Sequence, residues 1–361
     1  MPDFKEVKLV LEDGSEYIGK SFGFEKSVSG EVVFNTAMTG YTESLTDPSY
    51  KGQILVATFP LIGNYGVPSD ERDEYGIHKF YESERVHVSG YIIDDYSVQD
   101  SHWNSVKTLS DWLKENGVPG IFGIDTRALT KKLREKGTML GKIVFTGNDV
   151  AFFDPGKHNV VDEVSVKQPV TYGNGKRKVV LIDCGVKNNI IRCFLRRDTT
   201  VIRVPWDYDF SQMDYDGLFI SNGPGDPKQL AKTVENIKKV LFNGKPVFGI
   251  CMGNLLLGLA SGGDTYKLKY GHRSHNQPVQ QVGTTRCFIT SQNHGYTVDL
   301  KKIANDWEPL FINNNDGTCE GIKHKTLPIF SAQFHPEASS GPTDTEFLFD
   351  DFLAVVDKNK K

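Results

Sequence analysis

The sequence predicts an α/β protein with a C-terminal doubly wound domain behind an N-terminal mixed β/α domain. Three observations lead there. From Lys178 onward, short apolar strand-like runs alternate with helix-like stretches, the pattern of a parallel sheet covered on both faces. One of those runs, residues 246–250, breaks at Gly249-Ile250-Cys251-Met252-Gly253 into an apolar helical run, the sharp strand-to-helix turn of a nucleophile elbow. Residues 151–177 are polar and punctuated by Pro155, Pro169, Gly173 and Gly175, which reads as a linker between a domain at 1–150 and another at 178–361.

The elements follow in order. Val7-Lys-Leu-Val-Leu11 and Glu16-Tyr-Ile-Gly19 flank Asp13-Gly14 and predict a hairpin. Residues 86–93 predict a strand, and residues 105–116 and 126–135 predict amphipathic helices, the second opened by a cap at Thr126. In the second half strands are expected near 178–183, 200–204, 217–221 and 246–250. A more β-like stretch covers 265–334, and a closing helix over 344–356 starts just after Gly341-Pro342.

At 361 residues the chain is long for one domain and comfortable for two. Its 38% hydrophobic and 24% charged content fits a soluble globular protein, and the net charge of −4 gives no sign of a nucleic-acid partner. No apolar run approaches the ~18 residues of a membrane span. Met1-Pro-Asp-Phe-Lys-Glu6 reads as neither a signal nor a transit peptide. The five cysteines, at 184, 193, 251, 287 and 319, are scattered and show no Cys-x-x-Cys spacing. They read as reduced thiols of an intracellular, cytoplasmic protein; a mitochondrial location stays open if a transit peptide was removed.

Chemistry concentrates at three places. The elbow pushes the Cys251 sulfur out of the sheet, over the positive end of the following helix, where a thiolate is favoured. Gly249 and Gly253 supply the small neighbours so tight a turn requires. A small buried Cys at a strand end is the plainer reading of that motif alone. Far downstream, Ile329-Phe-Ser-Ala-Gln-Phe-His335-Pro-Glu337 reads as a strand ending in a His with a carboxylate two residues on: a base and the acceptor that orients it. Between them, Gly217-Leu-Phe-Ile-Ser-Asn222-Gly-Pro-Gly-Asp-Pro227 runs a strand into a Gly-Pro-Gly loop able to present backbone N–H groups to an oxyanion. No Gly-Lys-Ser/Thr follows, which argues against a phosphate loop.

These elements, in this order, resemble the class I, triad-type glutamine amidotransferases. Over nearly the whole length the chain resembles the small subunit, or glutamine amidotransferase domain, of carbamoyl phosphate synthetase. The segments that carry this are residues 33–50 (Val33 to Tyr50), Phe59-Pro-Leu-Ile-Gly-Asn-Tyr-Gly66, Gly123-Ile-Asp-Thr-Arg-Ala-Leu-Thr130, Asp183-Cys-Gly-Val-Lys-Asn188, Ser291-Gln-Asn-His-Gly-Tyr296 and Gln333-Phe-His-Pro-Glu337. The resemblance implies hydrolysis of L-glutamine to glutamate and ammonia, with Cys251 as nucleophile, His335 as base and Glu337 orienting the imidazole. It implies an oxyanion site at the Met252 N–H, helped by Gly223. It places Ser49, Gly223, Gly225, Asn293, Gly295 and Tyr296 around the substrate, with Ser49 contributed by the N-terminal domain. It further implies a larger synthetase subunit or domain as partner, which receives the ammonia by a channel and carries ATP and Mg. No cofactor and no metal are expected on this chain, nor a membrane partner.

One departure matters. The family usually has Gly-His-Gln where this chain has Gly253-Asn254-Leu255. The family's Gln binds substrate, and Leu255 cannot make that hydrogen bond. The Gly-Asn form resembles the ammonia-using synthetases. Two readings therefore stay open: an active glutaminase, and a catalytically weakened regulatory or scaffold domain of an ammonia-using enzyme. An unrelated Cys hydrolase on the same scaffold is a third, opposed by the N-terminal segments. His294 is expected to be a structural neighbour of the substrate loop, and His272 and His275 to lie in a polar loop. Leu255, Leu256, Leu257 and Leu259 are expected to form core.

Overall fold

The Asp13-Gly14 hairpin opens the first of two units, Met1–His158 and Asn159–Lys361, into which the computed structural model divides; it describes residues 4–360. The first unit holds β1 (Glu6–Leu11), β2 (Glu16–Ser21), β3 (Val28–Asn35), β4 (Gln53–Ala57), β5 (Leu61–Ile62), β6 (Gly90–Ile92), β7 (Asp95–Tyr96), β8 (Gly120–Phe122) and β9 (Met139–Val144). All but β5 and β7 close into a barrel ordered β1-β2-β8-β6-β4-β3-β9. The hairpin turns at Gly14 with φ 83°, a conformation that favours glycine. The strand expected over 86–93 is regular only at β6, since His87 N–H is drawn to Leu45 O and Ser89 N–H to Gln53 O.

Helix α1 (Tyr41–Thr46) leads into the short turn that carries Ser49. Helix α2 (Leu109–Glu115) starts later than expected because the Thr108 hydroxyl caps it, accepting from Asp111 N–H. Helix α3 (Thr126–Lys136) is capped by Asp125, one residue before the expected Thr126; its carboxylate accepts from Ala128 N–H at 2.8 Å.

The second unit is built on one sheet of β10 (Val170–Tyr172), β11 (Arg177–Asp183), β12 (Thr199–Pro205), β13 (Gly217–Ile220), β14 (Val247–Ile250), β15 (Thr265–Gln281), β16 (Cys287–Val298), β17 (Trp307–Asn313), β18 (Cys319–His324) and β19 (Ile329–Ala332). Its order is β10-β12-β11-β13-β14-β19-β18-β17-β15-β16. The segment expected as a linker supplies β10, which pairs antiparallel with β12. Strands β12, β11, β13, β14 and β19 are parallel. They are joined with the help of α4 (Asn188–Leu195), α5 (Ala231–Val240) and α6 (Met252–Ala260), and α7 (Phe347–Asn359) closes the unit.

Two features of this sheet position the site. Strand order reverses between β11 and β13, so the loops after those strands flank a topological switch point, where open α/β sheets bind ligands. Strands β14 and β19 are direct neighbours, with Ile250 opposite Ala332. Phe248 of β14 stacks on Phe330 of β19 with ring centroids 4.6 Å apart, and packs edge-on against Phe219 and Phe349. Each such ring pair contributes about 0.5–1.5 kcal/mol beyond its buried area, so the two chemistry-bearing strands are locked together from below.

Candidate active site

Cys251 stands between β14 and α6 with φ 55° and ψ −101°. Holding an L-residue there costs on the order of 1–3 kcal/mol, a strain that marks functional positions. The turn is as tight as its glycines suggested. A Cβ on Gly249 would meet the Gly253 carbonyl at 2.7 Å, and one on Gly253 would lie 2.2 Å from Ile220 O. The Cys251 N–H donates to Ala332 O at 2.8 Å, and its thiol donates to Asn293 O at 3.7 Å. The N–H groups of Met252 and Gly253 open α6 and have no intrahelical acceptor, so they are available to a negative charge beside the sulfur.

His335 follows β19 and is anchored by its own N–H, which donates to Ser291 O at 2.9 Å. Its Nδ1 sits 2.7 Å from Glu337 Oε1. Burial by itself would lower the imidazole's proton affinity. The charge of Glu337 outweighs it, reinforced by hydrogen bonding to Glu337 and by Cys251 close by, and the His335 pKa rises well above its ordinary value. Among the described residues its Nε2 makes no hydrogen bond of ordinary geometry, and it is the nitrogen left to take a proton. Burial would raise the Glu337 carboxyl, but the charges of Lys187 and His335 hold it down to about 2.

Lys187 is the residue the sequence reading missed. It lies in the loop after β11, is buried, and places Nζ 3.1 Å from Glu337 Oε1, with a further hydrogen bond to Ala338 O. Asn189 Nδ2 donates to Glu337 O. The Lys187 N–H donates to Asn222 Oδ1 at 3.2 Å, which ties this loop to the Gly-Pro-Gly loop across the switch point. The only sequence signal was a lysine in Asp183-Cys-Gly-Val-Lys-Asn188, a segment that carried family likeness but no assigned role.

The structure gathers Cys251, Asn293, His335 and Glu337 in one row. A Cβ on Gly223 would fall 2.0 Å from Cys184 O, so backbone packs on backbone there, and Gly225 turns with φ 84°. Gly295 lies close to the Arg273 guanidinium, and Tyr296 packs on the apolar core of the unit. Leu255, only 2% exposed, belongs to that same core. Ser49 sits in the first unit, where its N–H donates to Asp47 Oδ1 at 2.9 Å.

The histidines near this site need one correction. His272 and His275 are in strand β15 rather than a polar loop, because β15 and β16 form one long ribbon in which His272 pairs with His294. His272 Nε2 lies 2.9 Å from Asp316 Oδ2 and Nδ1 lies 3.3 Å from Glu320 Oε1. His294 is buried, with Nδ1 2.9 Å from Tyr296 O and Nε2 3.0 Å from Gln292 Oε1. His272, His294 and Glu320 bring potential metal-ligating atoms within 4.8 Å of one another. Both His294 nitrogens are already engaged and His272 is balanced by two carboxylates, so the group is a charge-paired cluster behind the Asn293 strand.

Two family models match the chain. The family model for class-I glutamine amidotransferases matches residues 180–355, and that for the CPSase domain of the carbamoyl-phosphate synthase small chain matches residues 9–143. The chain thus carries a class-I glutamine amidotransferase domain and a carbamoyl-phosphate synthase small-chain domain. It is 53% identical over 351 residues to the multifunctional protein CAD of Squalus acanthias, an alignment covering 96% of this chain and 16% of that protein. It is 52% identical over 359 residues to the mitochondrial carbamoyl-phosphate synthase [ammonia] of Aquarana catesbeiana, covering 98% and 24%. To the multifunctional protein ura1 of Schizosaccharomyces pombe it is 49% identical over 395 residues, covering 99% and 18%. The chain thus spans a quarter or less of the length of these relatives. Among the described residues no helix is long and apolar enough to cross a membrane.

Proposed function

We propose that this chain is the glutaminase component of a glutamine-dependent carbamoyl phosphate synthetase. The observation that supports it most is the buried row Cys251–His335–Glu337, with the nucleophile on a strained elbow and base and acceptor 2.7 Å apart. In this reading Cys251 attacks the side-chain amide carbon of L-glutamine while His335 Nε2 takes the thiol proton. The oxyanion is held by the Met252 N–H with help from the Gly223 loop. His335 returns the proton to the leaving nitrogen, ammonia departs, and a γ-glutamyl thioester remains. Water, deprotonated by His335, cleaves that thioester to glutamate and restores the thiol. Glu337 keeps the imidazole in place throughout. Gly225, Asn293, Gly295 and Tyr296 surround the glutamine.

The ammonia would pass through a channel to a synthetase subunit or domain, which carries ATP and Mg; this chain itself uses neither cofactor nor metal. The cytoplasm is the compartment that fits this role. The test is glutamate release from glutamine, by the chain alone and with a synthetase partner. Activity that rises with the partner and vanishes in Cys251→Ala supports the reading. Silence in both settings from a folded chain sinks it.

A second reading is favoured by one residue. Leu255 packs into the core and offers glutamine no hydrogen bond. If glutamine is not hydrolysed, the domain is a regulator or scaffold of an ammonia-using synthetase, in line with the name of the Aquarana relative.

A further inference from the structure

Behind the catalytic row lies a second connection between the elbow and the His335 strand, made by side chains that the chemistry above does not use. Asn254, on the first turn of α6, donates Nδ2 to Gln333 Oε1 at 2.7 Å, and its Oδ1 accepts from the Ser331 hydroxyl at 2.7 Å. Ser331 Oγ in turn accepts from Ile322 N–H at 3.1 Å, and Gln333 N–H donates to Glu320 O at 2.7 Å. Asn254, Ser331 and Gln333 are all completely buried. Polar groups so deep are costly unless paired, and among the described residues Gln333 Nε2 finds no partner. Reversing both amides would only move the unpaired atom from nitrogen to oxygen. An apolar pair of the same shape would fill this space at less cost, so packing alone does not account for the two amides.

Their placement does. Asn254 is three residues after Cys251, and Gln333 is two before His335. The backbone bond from Cys251 N–H to Ala332 O sets one point of contact between the elbow and the β19 edge. The ladder between β14 and β19 ends at that bond, and among the described residues no further backbone hydrogen bond joins the elbow to residues 333–335. The Asn254–Gln333 bond is a second, directional contact on the same pair of segments, and two points fix an orientation.

We propose that Asn254 and Gln333 are positioning residues that together hold the angle and distance between Cys251 and His335. This rests on the glutaminase reading for its rate measurement, but not for its chemical-reactivity measurement. The pair acts through the two catalytic side chains and is not expected to touch glutamine. The sign of the expected defect follows: proton transfer between sulfur and imidazole depends on sub-ångström placement, whereas substrate binding does not.

The experiment compares the full chain with Asn254→Ala, Gln333→Ala, their double variant, and the shape-conserving double Asn254→Leu/Gln333→Met. Two readouts are taken: kcat and KM for glutamate release, and the rate at which iodoacetamide alkylates Cys251, followed by mass spectrometry. Urea melts report folding. Each single variant is expected to lower kcat tenfold or more with KM within about twofold, and to slow Cys251 alkylation. The alanine double is expected to be no worse than the poorer single, since either change breaks the same contact. The Leu/Met double is expected to keep the parent's folding midpoint and still show the lowered rate. Unchanged kcat and alkylation in folded variants overturn the proposal, as do additive effects or a loss confined to KM. If the parent releases no glutamate either alone or with a synthetase partner, the glutaminase reading fails, and the alkylation series alone then decides for or against the positioning role.

Discussion

Lys187 Nζ lies 3.1 Å from Glu337 Oε1, and their side chains are 6% and 0% exposed. The orienting carboxylate therefore answers to two cations, His335 and Lys187, and its charge is secured even when the imidazole is neutral. Removing one member of a buried pair typically costs about 3–5 kcal/mol, because the other charge is stranded. Lys187→Met is expected to lose stability of that order and to become sensitive to acid. The folded Glu337 pKa lies below its ordinary value of 4.5, at about 2. Its stabilisation is thus complete above the unfolded value and is lost as pH falls through the folded one. Without Lys187 the folded value rises, so the acid limb of a stability–pH curve shifts upward. Denaturant melts from neutral pH into acid read this directly, and superimposable acid limbs for parent and variant would refute it.

Cys251 offers a test in which stability and activity move in opposite directions. Its φ of 55° suits glycine better than any L-residue. Cys251→Gly relieves strain of on the order of 1–3 kcal/mol and loses the burial of one thiol, worth roughly 1 kcal/mol. The variant is expected to hydrolyse no glutamine while unfolding at an equal or higher urea midpoint. A clear fall in that midpoint would show that the elbow is not strained.

Leu255 decides between the two functional readings. It is buried in the apolar core, so Leu255→Gln places an amide there at a cost of about 1–3 kcal/mol if the amide finds no partner. If glutamine supplies that partner, the cost is recovered on binding. The expected outcome is a lower thermal midpoint without ligand, a larger upward shift on adding glutamine, and a KM reduced roughly tenfold to a hundredfold. An unchanged KM would mean that position 255 does not face the substrate.

The alternation from Lys178 and the Gly-x-Cys-x-Gly turn made the doubly wound sheet and its elbow legible, because both depend on local pattern: strand period, helix period and the absence of a Cβ. His335 and Glu337 were legible as a pair because they stand two residues apart across Pro336, in a turn closed by Ala338 N–H on His335 O that brings both side chains to one place. Lys187 was not, since its meaning comes from a contact across 150 residues of chain that no local period encodes. The barrel of the first unit escaped the same way: β6 and β8 are only three residues long and are strands by virtue of their neighbours. His272 looked like a loop residue because Gly271 and the run of polar residues after it hide a strand whose partners are β16 and β17.

That misplaced histidine yields a prediction of its own. Burial would lower the His272 pKa, but Asp316 and Glu320 on either side of the ring outweigh it and push it up to about 9. A folded pKa above the unfolded value of 6.5 means that the stabilisation is complete below the unfolded value and is lost as pH rises through the folded one. A rise from 6.5 to about 9 corresponds to on the order of 3 kcal/mol. The groups that would be left facing one another on deprotonation are Asp316 and Glu320, the latter also bound by Asn313 Nδ2 at 2.8 Å. Their repulsion would loosen the β15–β16 ribbon that carries Asn293, the acceptor of the Cys251 thiol. His272→Gln should therefore be less stable than the parent near neutrality, and nearly flat where the parent declines on the alkaline side. Urea midpoints taken across that window separate the cases. Parallel slopes for parent and variant would assign the alkaline loss to other groups and leave His272 with a packing role alone.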